Sequence, residues 1–208
     1  MKAITDKSTN VPVYKNGANG HAPIVPTRDE LIAALYKEPG KAEIINGRIE
    51  RFNMTGRTPG FAGEEIFLYL RLFVKATKPP SIAVGDNKAF LCDLPHRQSF
   101  APDAAYYKGE NSGMKFFPTP PQFAVEVRSE NDYGTTPERE MEAKRADYFA
   151  AGTLVFWDVD PLSSDAVIRK FTKTGGAETP VAVFKRGDVA DAEPAVPGFT
   201  VKIDDLFE

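Results

Sequence analysis

The chain has 208 residues, 42% of them apolar and 15 of them Phe, which suits one packed α/β domain and excludes a disordered chain. A net charge of −3 argues against a broad basic surface for non-specific nucleic-acid binding but leaves room for a small phosphate site. The lone Cys92 excludes an intrachain disulfide, and with only His21 and His96 beside it no zinc site can be built, so any metal should be oxygen-bound Mg2+ or Mn2+.

Residues 1–26 are polar and turn-rich, with Asn16-Gly17, Asn19-Gly20 and Pro23, and read as an N-terminal arm ahead of a domain over 27–208. No apolar run follows the N-terminal charge, and none approaches the roughly 20 residues needed to span a bilayer. A cytoplasmic protein with no membrane partner is expected. Thr27 with Glu30 three residues on, followed by Leu31, Ile32, Leu35 and Tyr36, predicts a capped helix that Pro39-Gly40 ends. Around Asn46-Gly47 the alternation of residues 43–45 and 49–52 predicts a short hairpin.

Residues 60–76 give the strongest helix pattern. Ile66, Phe67, Leu70, Phe73 and Val74 share a face, and Leu68 and Leu72 widen it almost to a full circle. One sheet covers one face, so a homodimer across the remainder is expected. Strands are predicted over 82–92, 100–107 and 123–129, then a helix opened by Thr136-Pro137 and closed by Gly152. Further strands follow at 154–158, 167–171 and 181–185, and Pro197-Gly198-Phe199 leads into the tail. This order implies a mixed sheet with helices packed on it.

Three residues in this frame carry chemistry. Asp103 lies among small and aromatic neighbours in Phe100-Ala101-Pro102-Asp103-Ala104-Ala105-Tyr106-Tyr107, where a buried carboxylate needs a cation and an edge-strand surface position does not. In 123–128 the strand alternation puts Phe123, Val125 and Val127 on one face and Ala124, Glu126 and Arg128 on the other, either as a site or as a solvated face. On the second helix the stripe Met141, Lys144, Tyr148, Ala151 points Lys144 inward with apolar neighbours. It either snorkels to water along Tyr148 or meets Asp103, Glu126 or a phosphate. Two carboxylates and a lysine suit phosphodiester hydrolysis: the acids hold Mg2+, and the ammonium supports the attacking species, a lysine pKa shifting readily on burial. If the two acids adjoin without metal, only Lys144 offsets their repulsion, so Asp103→Asn is expected to raise the metal-free melting temperature.

The order of elements and motifs resembles the PD-(D/E)XK nuclease superfamily and, within it, the Uma-type family of endonucleases. The matching stretches are Glu43-Ile44-Ile45-Asn46-Gly47-Arg48-Ile49, Ala101-Pro102-Asp103-Ala104-Ala105-Tyr106, Phe123-Ala124-Val125-Glu126-Val127, Lys144 with Tyr148, Ala151-Gly152, Trp157-Asp158-Val159-Asp160-Pro161 and Pro197-Gly198-Phe199. The resemblance implies a restriction-endonuclease-like fold, a mixed central sheet flanked by helices. It also implies a divalent-metal-dependent endonuclease acting on nucleic acid, DNA being expected, with Asp103 and Glu126 on Mg2+ or Mn2+ and the lysine supplied by the helix as Lys144. Arg128 stands at the superfamily's strand-lysine position, cannot serve as a base, and is expected to contact a substrate phosphate. Gly63 stands where the family often has a histidine. Glu43, Glu64 and Glu65 each could be an additional acid, with exposure the simpler expectation for each, as it is for Asp158 and Asp160. An inactive nuclease-fold scaffold is the alternative reading, favoured by the low net charge and by the absence of any helix-turn-helix, zinc finger or aromatic-rich sheet motif.

Overall fold

A computed structural model describes residues 26–165 and 167–207, so the proposed N-terminal arm lies, save for Pro26, outside the described residues. Helix α1 (Arg28–Leu35) is capped as its sequence requires: the Thr27 hydroxyl accepts from the Glu30 amide, and the Glu30 carboxylate accepts from the Thr27 amide at 2.8 Å. Strands β1 (Ala42–Ile45) and β2 (Arg48–Arg51) form the expected hairpin, with Asn46 and Gly47 both at positive φ in its turn. The long helix α2 (Arg57–Thr77) buries Ala62, Gly63, Ile66, Leu70 and Val74.

The single strand expected over 82–92 is two strands in two sheets. β3 (Ile82–Gly85) and β4 (Phe90–Leu94) are separated by a turn in which Asn87 takes φ 60°. β5 (Arg97–Phe100) is a further strand, and β6 starts only at Ala104 (Ala104–Tyr107). Asp103 is therefore in the bend between them, not in mid-strand as the sequence suggests: Pro102 has no amide hydrogen to continue a ladder. Then come β7 (Phe123–Val127), α3 (Thr135–Ala151), β8 (Val155–Val159), β9 (Ile168–Thr172) and β10 (Ala182–Phe184). The tail adds an unforeseen hairpin, β11 (Val189–Asp191) and β12 (Thr200–Lys202), and a turn of 3-10 helix. Gly152 closes α3 at φ 119°, its amide donating to the Tyr148 and Phe149 carbonyls.

The central sheet has the order β10-β9-β8-β7-β6-β3. Only β7 and β8 are parallel, joined by α3 as a crossover, and the other pairs are antiparallel. A second sheet, β2-β1-β5-β4, packs beside α3. β7 is buried on both faces. Phe123, Val125 and Val127 join Ala62, Ile66 and Leu70 in one core, and Ala124 joins Phe100, Tyr148, Phe149 and Phe156 in another. The alternation of β7 thus sorts residues between two covered faces, and no solvated face exists there. Among the described residues no helix is long and apolar enough to cross a membrane.

Candidate active site

The site lies where the hairpin, the Asp103 bend, β7 and α3 meet. Backbone pairing of β6 with β7 runs from Tyr106–Phe123 to Ala104–Val125, and the Asp103 amide donates to the Val125 carbonyl at 3.0 Å. One step further, Asp103 Oδ2 accepts the Val127 amide hydrogen at 2.7 Å, so the carboxylate takes the place of a strand acceptor. Its Oδ1 meets the ammonium of Lys41. Gly63 of α2 lies against this bend: a side-chain carbon there would sit 3.5 Å from Asp103 Cβ.

Glu126, 6% exposed, faces α3. Its Oε1 accepts the Tyr148 hydroxyl at 2.8 Å and meets Lys144 Nζ at 2.8 Å. Tyr148 and Lys144 are four residues apart on one helix face, which is why both reach the same carboxylate. Lys144 also lies 3.1 Å from Glu43 Oε1, and the ring of Phe52 covers the ammonium at 5.3 Å. Burial alone would lower the Lys144 pKa, but Glu126 and Glu43 outweigh it and raise it above the ordinary lysine value. Lys144 is a fixed cation here, not a base. Burial raises the Glu126 pKa, aided by the charge of Asp103 and opposed by Lys144. Burial and Glu126 push the Tyr148 phenol far above its usual range, so it remains a donor.

Glu43 is fully buried, against the expectation of exposure. It accepts the Ala101 amide hydrogen at 3.1 Å and pairs with Arg97, whose Nε reaches Asp147 at 2.8 Å. Burial opposes its charge, yet Lys144 and Arg97 prevail and lower its pKa. Glu64 is exposed and Glu65 half-buried on α2. Lys41 and Arg97 are members of the cluster that the sequence reading missed. The available signal was spacing, since Lys41 and Glu43 are two apart along a β-strand direction and so share a face. The Lys41 carbonyl in fact continues the hairpin by accepting from the Phe52 amide at 3.0 Å.

Arg128 has other partners than the expected phosphate. Its guanidinium is 3% exposed and binds Asp158 through two contacts of 2.6 Å, and Glu138 through two more. Asp158 and Asp160, expected in solvent, are buried. Asp158 also faces Arg145 at 3.5 Å, and Asp160 accepts the Tyr133 hydroxyl at 2.8 Å. Arg128 lies just beyond β7, its amide still donating to the Val159 carbonyl of β8 at 2.8 Å, and parallel register sets Asp158 opposite Glu126.

Among the described residues no three His, Cys, Asp or Glu side chains converge on one metal position. Mg2+ nevertheless needs only one or two carboxylates, its other positions being filled by water and phosphate oxygens. Lys41 supplies a stand-in: its ammonium lies between Asp103 and Asp86, within the field of Glu126. Hard oxygen donors gathered around a cation are the chemistry that Mg2+ or Mn2+ requires.

The fold has a counterpart among solved structures. A protein described as a putative nuclease belonging to DUF820, from Anabaena variabilis, superposes with a TM-score of 0.63 at 18% identity, over 85% of this chain and 97% of that one. This chain therefore shares that protein's fold, a mixed α/β architecture of sheets flanked by helices. The chain belongs to the Uma2 family, described as "Putative restriction endonuclease", which matches residues 29–204. No curated protein matches it.

Proposed function

We propose that this chain is a divalent-metal-dependent endonuclease cleaving nucleic-acid phosphodiesters, with DNA as substrate, Asp103 and Glu126 as ligands to Mg2+ or Mn2+, and Lys144 as the cation at the reacting phosphate. The observation that carries this reading is the convergence of Asp103, Glu126 and Lys144 from a bend, a strand and a crossover helix. A bound ion would polarise the phosphoryl oxygen and lower the pKa of attached water. The chain's own residues do the rest. Tyr148 and Lys144 hold Glu126 in one orientation from α3, and the Val127 amide does the same for Asp103. The Lys144 ammonium keeps its proton and stabilises developing negative charge, and Glu43 with Arg97 anchors it from the hairpin side. Arg128 serves as a strut between β7, β8 and α3. The free, buried Cys92 is consistent with a reducing cytoplasmic location.

The test is incubation of the protein with DNA and RNA in Mg2+, in Mn2+ and in chelator. Cleavage of DNA is expected with either ion and none in chelator. Asp103→Ala, Glu126→Ala and Lys144→Ala should each slow it by about 100-fold or more, and full activity in any one removes that residue from the mechanism. A catalytically inactive scaffold is the second reading. The net charge of −3 and the complete pairing of Arg128 favour it. It requires no cleavage and no metal response with all three residues intact.

A further inference from the structure

Lys41 has no role in the reading above, yet its ammonium occupies the acidic side of the site. Its side chain is 15% exposed, pairs with Asp103, and lies 2.9 Å from Asp86 Oδ1. Asp86 is a fixed seat: Oδ1 also accepts the Asn87 amide hydrogen at 2.6 Å, in a turn where Asn87 takes φ 60°. Asp86 faces solvent, with 47% of its side chain exposed, whereas Asp103 is turned into the site. The ammonium thus has an inner partner and an outer one at once. The chain leads into it from the Pro39-Gly40 turn, where a side-chain carbon on Gly40 would meet nothing within 4 Å, so the backbone is uncrowded there.

We infer that Lys41 is a tethered counter-ion for the acidic pocket, and that a divalent cation binds by displacing its ammonium from Asp103 onto Asp86. This rests on Asp103 and Glu126 being the metal ligands. An ammonium and a divalent ion cannot share Asp103 Oδ1 without like-charge repulsion in a partly desolvated pocket. The ammonium neutralises the acids while the site is empty of metal, and the outer seat keeps it paired after displacement. Metal affinity is then set by competition with a residue of the chain itself, and Lys41 is a positioning residue for the ion, not a catalytic one.

Mn2+ binding to the full chain, by isothermal titration calorimetry without nucleic acid, tests this on wild type, Lys41→Gln and Asp103→Asn. Lys41→Gln should bind Mn2+ about tenfold more tightly, the factor that about 1.4 kcal/mol of relieved competition gives, and should melt lower in chelator. Asp103→Asn should lose binding. Equal or weaker binding by Lys41→Gln, with wild type binding normally, overturns the displacement and leaves the nuclease reading standing. No binding by any of the three overturns both. A second measurement needs no variant to fold well. With 13C-labelled lysine in the wild-type chain, the Lys41 side-chain resonance should move on addition of Mg2+, and a resonance unmoved at saturation overturns the displacement.

Discussion

Glu43 and Glu126 both touch the Lys144 ammonium, yet their own pKa values move in opposite directions. Glu43 has a second cation in Arg97 and a backbone donor in Ala101, enough to overcome burial. Its lowered folded-state pKa means that its stabilisation is present above the ordinary glutamate value of about 4.3 and is lost as pH falls through the folded value. At Glu126 burial outweighs Lys144, with the charge of Asp103 added to it, so its raised pKa has the opposite sign. It costs stability once pH rises through the ordinary value, and protonation at lower pH relieves that cost. Glu43→Gln should therefore lower metal-free stability at pH 7 by about 3 kcal/mol, as breaking a buried ion pair does, while Glu126→Gln should raise it. Urea melts of the two variants in chelator give the comparison, and the same sign for both would refute it. For Asp103 the structure reverses the sequence-based sign. Lys41 already neutralises this acid, so Asp103→Asn should lower, not raise, the metal-free melting temperature, and it should also erase the Mn2+-induced rise.

At the scale of elements, α3 does two jobs with two faces. Lys144 and Tyr148 turn to Glu126, while Arg145 turns to Asp158 beside Arg128. Parallel register puts Glu126 opposite Asp158, so the acids of β7 and β8 are adjacent in the sheet but are met by different cations of the same helix. Asp158→Ala would leave Arg128 and Arg145 buried without their shared carboxylate, and the expected loss is about 3–5 kcal/mol, read by chemical denaturation. A loss under about 1 kcal/mol, the size for exposed pairs, would show that this cluster is wetter than its burial indicates. The periodicity of β7 and the inward stripe of α3 are local, which is why Glu126 and Lys144 were legible in the sequence. The same holds for the α1 cap and the Asn46-Gly47 turn. The split of 82–92 into β3 and β4 is marked in the sequence by Gly85-Asp86-Asn87, a turn signal that taking the two apolar runs as one strand passes over. The partners of Lys41, Arg97 and Arg128 were not legible: each pairing is set by which strand lies next to which, and no pattern within a single segment encodes that.

For the whole molecule, α2 presents Leu68 at 45% and Leu72 at 51% exposure, opposite the buried row of Ile66, Leu70 and Val74. Of the wide apolar surface seen in the sequence, Ile66, Phe67, Leu70, Phe73 and Val74 are thus packed on the core, and Leu68 and Leu72 are left outward beside Glu64 and Arg71. We propose that a second copy covers these two leucines through a two-fold contact, since a self-complementary face needs no other partner. Light scattering at about 20 µM, a rough scale for weak association, should give a dimer for wild type and a monomer for Leu68→Glu with Leu72→Glu. A wild-type monomer would leave this face unexplained by self-association.

The hairpin that carries Glu43 is joined to the neighbouring strand by few backbone bonds and is held otherwise by side chains, Ile44 in a core with Leu31 and Leu35, and Glu43 on Arg97 and Lys144. β2 is an edge strand, and β1 is joined to β5 through the Ile45–Arg97 register pair, with the Ile44 amide reaching the Ser99 hydroxyl at 2.8 Å and the Asn46 amide reaching the His96 carbonyl at 2.7 Å. Glu126 and Tyr148 are 22 residues apart within one strand–helix–strand unit, but Lys41 reaches Asp103 across 62. Segments of this kind open sub-globally, at less than the free energy of full unfolding. Lifting the hairpin would remove Glu43 and Lys41 together and leave the six-stranded sheet in place. The amides of β1 should then exchange with solvent faster than those of β7, and metal-dependent activity should vanish at urea concentrations where circular dichroism still reports an intact fold.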